Sequence, residues 1–297
     1  MRLLLGTMWL LHWLPLPILG RLGKLVGSLL FMVLRSRRHI TLTNLRLCLP
    51  DLSESQRLAL AREHFQAYAR SVLERSILWW APESRLRKLI VVEPQVPLEA
   101  IKSGPTILLC PHFVCLDVAG VALVLESPAC SIYTSQSNLI FDKALRDGST
   151  RFHPVKLLSR AEGVKPIIRA MREGLPFFML PDMDFGAKDA AFVPFFGTPA
   201  ATLTAPARIA AAVNAKVIPV IGTFLPNYRG WKVTFYPAWD NFPGDDIVAA
   251  TRRMNEFIEA RVLEAPAEYF WTHKRFKTRP EGIPGIYEQG GPDTTLR

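Results

Sequence analysis

Apolar residues crowd the first 34 positions, then settle into periodic runs. Leu3 to Leu19 is interrupted mainly by His12, Pro15 and Pro17, and a second run, Leu25 to Leu34, follows Arg21 and Lys24. The first run approaches the roughly 17–25 residues that cross a bilayer. Beyond Pro50-Asp51, Ser53-Glu54-Ser55-Gln56 has the form of a capping box. Leu58, Ala61, Phe65, Ala69, Val72 and Leu73 then recur at helical spacing, which predicts a helix to Leu78, ended by Trp79, Trp80 and Pro82. From Leu89 short apolar runs alternate with helical stretches. Strands are predicted at 90–93, 106–110, 130–134, 176–181, 216–224 and 231–236. Helices are predicted at 117–125, 138–147, 162–173 and 203–213, with a last one from Asp245 or Asp246 to Leu263. Gly174 stands where a helix C-cap glycine belongs. This alternation predicts an α/β fold, a mostly parallel sheet flanked by helices, with an N-terminal membrane-associated helical segment. The expected division is an anchor over 1–34, one domain over 35–285, and a Gly/Pro-rich tail over 286–297.

Charge changes the picture most at the N-terminus. The chain carries a net charge of +10, and residues 1–50 hold Arg2, Arg21, Lys24, Arg35, Arg37, Arg38 and Arg46 with no acidic residue. Trp9 and Trp13 suit a membrane interface, and no small-residue cleavage site follows the first run. Arg35, Arg37 and Arg38 would hold the body on the cytoplasmic side. A single span, a re-entrant hairpin and a surface-lying helix all satisfy this pattern. The four cysteines form no CxxC and no disulfide framework, and the six histidines are dispersed, so no metal site is expected. GxSxG, Walker, GxGxxG and HExxH motifs are absent, which removes the usual signs of a serine acyl-enzyme or a nucleotide cofactor.

Four polar islands interrupt the apolar background. The first is His112 and Asp117, just after the run Thr106–Cys110, which Pro111 closes. Five residues on a helix separate two side chains by roughly 140°. A joint role therefore requires His112 in the loop leaving the strand and Asp117 in the first turn of the next helix. Catalytic groups of open α/β sheets sit there, although a buried histidine beside a helix-start aspartate fits equally well. The second island, Pro181-Asp182-Met183-Asp184-Phe185-Gly186, follows the apolar run 177–180 and reads as a carboxylate pair or as a plain turn. In the third, 192–202, Phe195 and Phe196 either pack inward or line an apolar ligand site. The fourth, Tyr269 to Pro280, interleaves Lys274, Arg275, Lys277 and Arg279 with aromatic rings; Arg252 and Arg253 precede it. Such a surface suits nucleic acid, lipid phosphate or an acidic protein, and the membrane-directed N-terminus argues against nucleic acid.

In this order the blocks resemble the late acyltransferases of lipid A biosynthesis, the bacterial lauroyl/myristoyl transferase family within the broader HxxxxD/E glycerolipid-type acyltransferases. The likeness runs from about Arg38 to Gly285. HxxxxD/E stands at His112–Asp117, PDxD-[YF]-G at 181–186, FVPFFG-x-PAAT at 192–202, and the closing aromatic-basic block at 271–282. Met183 replaces the family's usual glutamine or histidine, and Asp117 the glutamate of many members. Gly148-Ser149 stands in place of a Gly-Arg pair, so Arg151 or Arg146 is expected to supply that arginine.

The resemblance implies a glycerolipid acyltransferase-like fold over 35–285 and transfer of a fatty acyl chain from an acyl carrier protein thioester to a hydroxyl of a lipid A precursor. It places the enzyme at the inner membrane, catalytic domain on the cytoplasmic side, without cofactor, metal or covalent acyl-enzyme. His112 would be the base and Asp117 its orienting partner. Arg151, Arg146, Asn138, Asp182, Asp184, Phe195 and Phe196 would contact substrate. Arg252, Arg253, Lys274, Arg275, Lys277 and Arg279 would dock the carrier or grip phosphate. Two alternatives stand beside it: an acyltransferase for a lysophospholipid or ornithine lipid using acyl-CoA or a carrier, and a non-catalytic lipid-binding homologue.

Overall fold

The computed structural model describes residues 1–95 and 98–287. Two apolar helices, α1 (Arg2–Leu11) and α2 (Leu16–Val33), lead into α3 (Arg35–Cys48) and the long α4 (Glu54–Trp80). Ser53 caps α4 as expected: its hydroxyl accepts from the Gln56 N–H while the Gln56 side chain accepts from the Ser53 N–H. Then follow α5 (Glu83–Leu89), β1 (Ile90–Pro94), α6 (Leu98–Lys102), β2 (Thr106–Leu109), α7 (Leu116–Val124), β3 (Ala129–Tyr133), α8 (Leu139–Ser149) and β4 (Val155–Ser159). The second half holds α9 (Lys165–Arg172), β5 (Phe177–Met179), β6 (Ala190–Phe195), β7 (Thr198–Leu203), α10 (Ala205–Val213), β8 (Lys216–Phe224), β9 (Trp231–Phe235) and α11 (Ile247–Glu264).

Seven strands form one sheet in the order β1-β9-β8-β2-β5-β3-β4. All neighbours are parallel except β8 and β9. The central strands are buried on both faces: Ile107 and Leu109 pack into one core with α9, α10 and α11, while Leu108 and Cys110 pack into the other with α1, α2 and α7. The apolar helix Leu16–Val33 is long enough to cross a membrane by length and composition.

The sequence expectations missed β4 and the separate hairpin of β6 and β7. Between the hairpin strands Phe196 (φ 49°) and Gly197 (φ 76°) both take left-handed conformations, as a type I′ hairpin turn requires. Residues 288–297 of the expected tail lie outside the described residues.

Candidate active site

The site grows from two neighbouring strands that end in step. In β2 and β5, Ile107, Leu108 and Leu109 pair with Phe177, Phe178 and Met179, and the Cys110 N–H donates to the Met179 carbonyl at 2.8 Å. Beyond that rung each chain runs residue-proline-residue, Cys110-Pro111-His112 beside Leu180-Pro181-Asp182. Equal spacing from a shared register brings His112 and Asp182 abreast at the carboxyl edge of the sheet. The Asp182 carboxylate accepts the His112 backbone N–H, 3.1 Å from each oxygen, and pairs with ring Nδ1 at 2.7 Å. Burial alone would raise the Asp182 pKa, but the charge and hydrogen bonds of His112, aided by Arg275, outweigh it and hold the carboxyl below its ordinary value. Nδ1 is thus the protonated nitrogen, and Nε2 takes no hydrogen bond among the described residues.

The closing aromatic block forms the other wall of the histidine loop. Phe270 N–H donates to the His112 carbonyl at 2.9 Å, Val114 N–H to the Glu268 carbonyl at 2.8 Å, and Phe113 pairs with Tyr269 in an antiparallel bridge. The Phe270 ring stacks on His112 with centroids 6.4 Å apart. Burial, then the charge of Asp182, pushes the Tyr269 phenol well above its usual range. Cys110 and Cys115 flank His112, but burial and the nearby carboxylates push both thiols well above theirs. Neither is poised as a thiolate nucleophile.

His112 also lines a cavity of about 600 Å³ on the sheet face between α9 and α10. Both helices run from the carboxyl edge back to the amino edge of the sheet, since each leads into a parallel strand. Val164, Arg160 and Arg208 therefore stand at the end shared with His112, while Ile209, Ala212 and Phe177 lie farther down. The walls are overwhelmingly apolar, which suits a hydrocarbon chain whose head rests at the imidazole.

The profile of the bacterial lipid A biosynthesis acyltransferases matches residues 2–278. The chain belongs to that family. It is 30% identical over 287 residues to the lipid A biosynthesis lauroyltransferase of Escherichia coli K12, covering 95% of this chain and 93% of that protein. It is 29% identical over 286 residues to the palmitoleoyltransferase of the same organism (95% and 92%), and 30% identical over 275 residues to its myristoyltransferase (90% and 82%).

Against this family background, several expected residues take other positions in the acyltransferase. Asp117 does start α7, but it pairs with Arg75 of α4, whose Nε lies 2.7 Å away, and no hydrogen bond joins it to His112. The carboxylate that meets the imidazole is Asp182, brought in by strand register. Arg151 caps the end of α4 instead, donating to the carbonyls of Leu78 at 3.0 Å and Ala81 at 2.8 Å. Arg146 pairs with Asp142 on its own helix, and Asn138 caps that helix by accepting the Phe141 N–H. Asp184 ties the closing block down: it accepts the Thr278 N–H at 2.6 Å and hydroxyl at 2.7 Å, while its own N–H donates to His273 Nε2.

Phe195 is fully buried between Tyr269 and Phe276, and neither it nor Phe196 lines the cavity; core packing accounts for both. Much of the basic surface is likewise engaged internally. Arg275 is buried and donates to the Ala201 carbonyl and the Thr202 hydroxyl, Arg252 pairs with Glu256 and Glu259, and Arg253 and Arg279 bond backbone carbonyls. Lys274 and Lys277 stay exposed. Arg75, Arg160 and Arg208 were not singled out from sequence, because no motif surrounds them.

Proposed function

We propose that this acyltransferase moves a fatty acyl chain from an acyl carrier protein thioester to a hydroxyl of a lipid A precursor, on the cytoplasmic side of the inner membrane. The observation that carries the reading is His112, held at Nδ1 by Asp182 and placed at one end of the apolar cavity. With the acyl chain in that cavity, the thioester carbonyl lies beside Nε2. An alcohol is a weak nucleophile at neutral pH, so Nε2 takes its proton as the oxygen attacks the carbonyl carbon. The ionised Asp182 stabilises the resulting imidazolium and fixes the tautomer. The tetrahedral intermediate collapses by breaking the C–S bond; a thiol of pKa about 8.5 leaves readily as thiolate and recovers the proton from Nε2. Both substrates meet in one complex, and the ester forms without an acyl-enzyme.

Asp117 acts through Arg75 in this scheme, holding the guanidinium at the start of α7. The deciding experiment offers purified enzyme an acyl carrier thioester together with either a lipid A precursor or a lysophospholipid. Acylation of the precursor is expected; acylation of the lysophospholipid alone would overturn the acceptor assignment. His112→Ala should lower the rate by roughly 10²–10⁴, and an unchanged rate would favour a non-catalytic lipid-binding role.

A further inference from the structure

The N-terminal helices carry an arrangement that neither the chemistry nor the family assignment uses. One face of α2 is a glycine stripe pressed on α4. A Cβ at Gly27 would stand 2.4 Å from the Gln66 Cα, one at Gly23 2.6 Å from the Arg70 Cα, and one at Gly20 2.4 Å from the Tyr228 ring. The two helices therefore run antiparallel with their backbones in contact. On the opposite face Ile18, Leu22, Leu25, Leu29 and Met32 form an exposed stripe at helical spacing; α1 adds Leu3, Leu4, Trp9 and Leu10, and the turn after it adds Trp13. Arg21 and Lys24 flank the stripe beside Tyr228, and residues 1–50 hold no acidic group.

α4 lies over the carboxyl edge of the sheet. Arg75 reaches Asp117, His64 pairs with the Ala267 carbonyl at 3.0 Å, and the Arg70 guanidinium sits 3.7 Å from the Phe224 ring centroid. Tyr68 packs on Phe270, which stacks on His112. The exposed apolar stripe is thus one helix away from the catalytic edge.

Resting on the membrane location proposed above, we infer that α1 and α2 lie in the plane of one leaflet of an anionic phospholipid bilayer rather than crossing it. A crossing α2 would draw α4 along with it, because the glycine contacts leave no room for lipid between them. α4 carries Arg62 and Glu63 exposed and Arg70 and Glu74 at the α2 contact, none of which the hydrocarbon accepts without large cost. An in-plane seat puts only the outward stripe into lipid, keeps Arg21 and Lys24 at headgroup level, and turns the His112 edge toward the bilayer. A membrane-embedded acceptor then reaches the site without leaving its leaflet.

Cysteine labelling tests this directly, since Cys48, Cys110, Cys115 and Cys130 are all buried. Arg2→Cys and, as a reference on the body, Asp245→Cys would be probed with a membrane-impermeant maleimide in spheroplasts and in inverted vesicles. Both are expected to label from the same side only. Labelling of Arg2→Cys from the side opposite to Asp245→Cys would overturn the inference while leaving the membrane location intact. Loss of the protein to the soluble fraction would overturn both. In vesicles of brominated phosphatidylglycerol, tryptophan emission should be quenched, with less quenching in Trp9→Phe/Trp13→Phe; equal quenching in the two proteins would also overturn it.

Discussion

In the proposed mechanism His112 is set by a partner 70 residues away in sequence, Asp182, rather than by the aspartate of its own motif. Asp182→Asn keeps the shape of the pair but offers an amide N–H or a neutral oxygen where a carboxylate fixed the tautomer. A comparable substitution in a serine protease triad costs about 10⁴ in rate. We expect a loss of about 10³–10⁴ in kcat with little change in KM, alongside a lowered melting temperature because the buried ion pair is broken; a rate within tenfold of wild type would return the orienting role to another group. Arg75 and Asp117 behave as one unit in this geometry, so Arg75→Gln, Asp117→Asn and the double variant should lose similar amounts of activity. Additive losses would separate the two residues.

Glu74 is a buried acid of a different kind. It accepts from Arg70 Nε at 2.5 Å and Trp231 Nε1 at 2.9 Å, yet burial outweighs these partners and pushes its pKa up to about 7. Between the unfolded value near 4.5 and the folded value near 7 the folded chain holds the extra proton. Its contribution to stability is therefore fully present below about 4.5 and lost as pH rises through about 7. Thermal unfolding of Glu74→Gln should show a shallower fall from pH 5 to 8 than wild type.

At the level of elements, most of the sheet was legible because its central strands read as short unbroken apolar runs between helical stretches, the pattern of strands buried on both faces. The strand β4 was not, since it is an edge strand whose Lys156 and Ser159 are exposed. The β6–β7 hairpin was hidden by Pro194 and Pro199, which face each other across it and read as loop residues. His112 and the helical position of Asp117 were legible; the dyad was not, because a strand register is a long-range property. The repeated strand-residue-proline-residue pattern before His112 and Asp182 was its one local trace. The α9–α10 pair carries a prediction of its own. Ala212 lies at the far end of the cavity and is exposed, so Ala212→Trp fills that end with little cost to folding. Mass analysis of the product should show shorter acyl chains than wild type transfers from the same mixture of thioesters. An unchanged length distribution would place the chain elsewhere.

For the whole molecule, net charge and apolar surface point the same way. The excess of positive charge draws the protein to an anionic surface, at about 1 kcal/mol per basic residue close to it, but salt screens that attraction beyond about 8 Å at physiological ionic strength. The outward stripe of α2 supplies what salt cannot remove. Burying an exposed leucine contributes about 1.5–3 kcal/mol, so replacing Leu25 and Leu29, both on the exposed outward face, removes about 3–6 kcal/mol. Leu25→Glu/Leu29→Glu should thus weaken partitioning onto phosphatidylglycerol vesicles by roughly 10²–10⁴, with the loss persisting in high salt. Neither side chain takes part in the packing against α4, so circular dichroism and the melting temperature should stay close to wild type. Activity on an acceptor held in vesicles should fall with binding, while activity on the same acceptor dispersed in detergent should be retained. Equal losses in both assays would mean that the stripe supports the catalytic edge itself rather than its seat on the membrane.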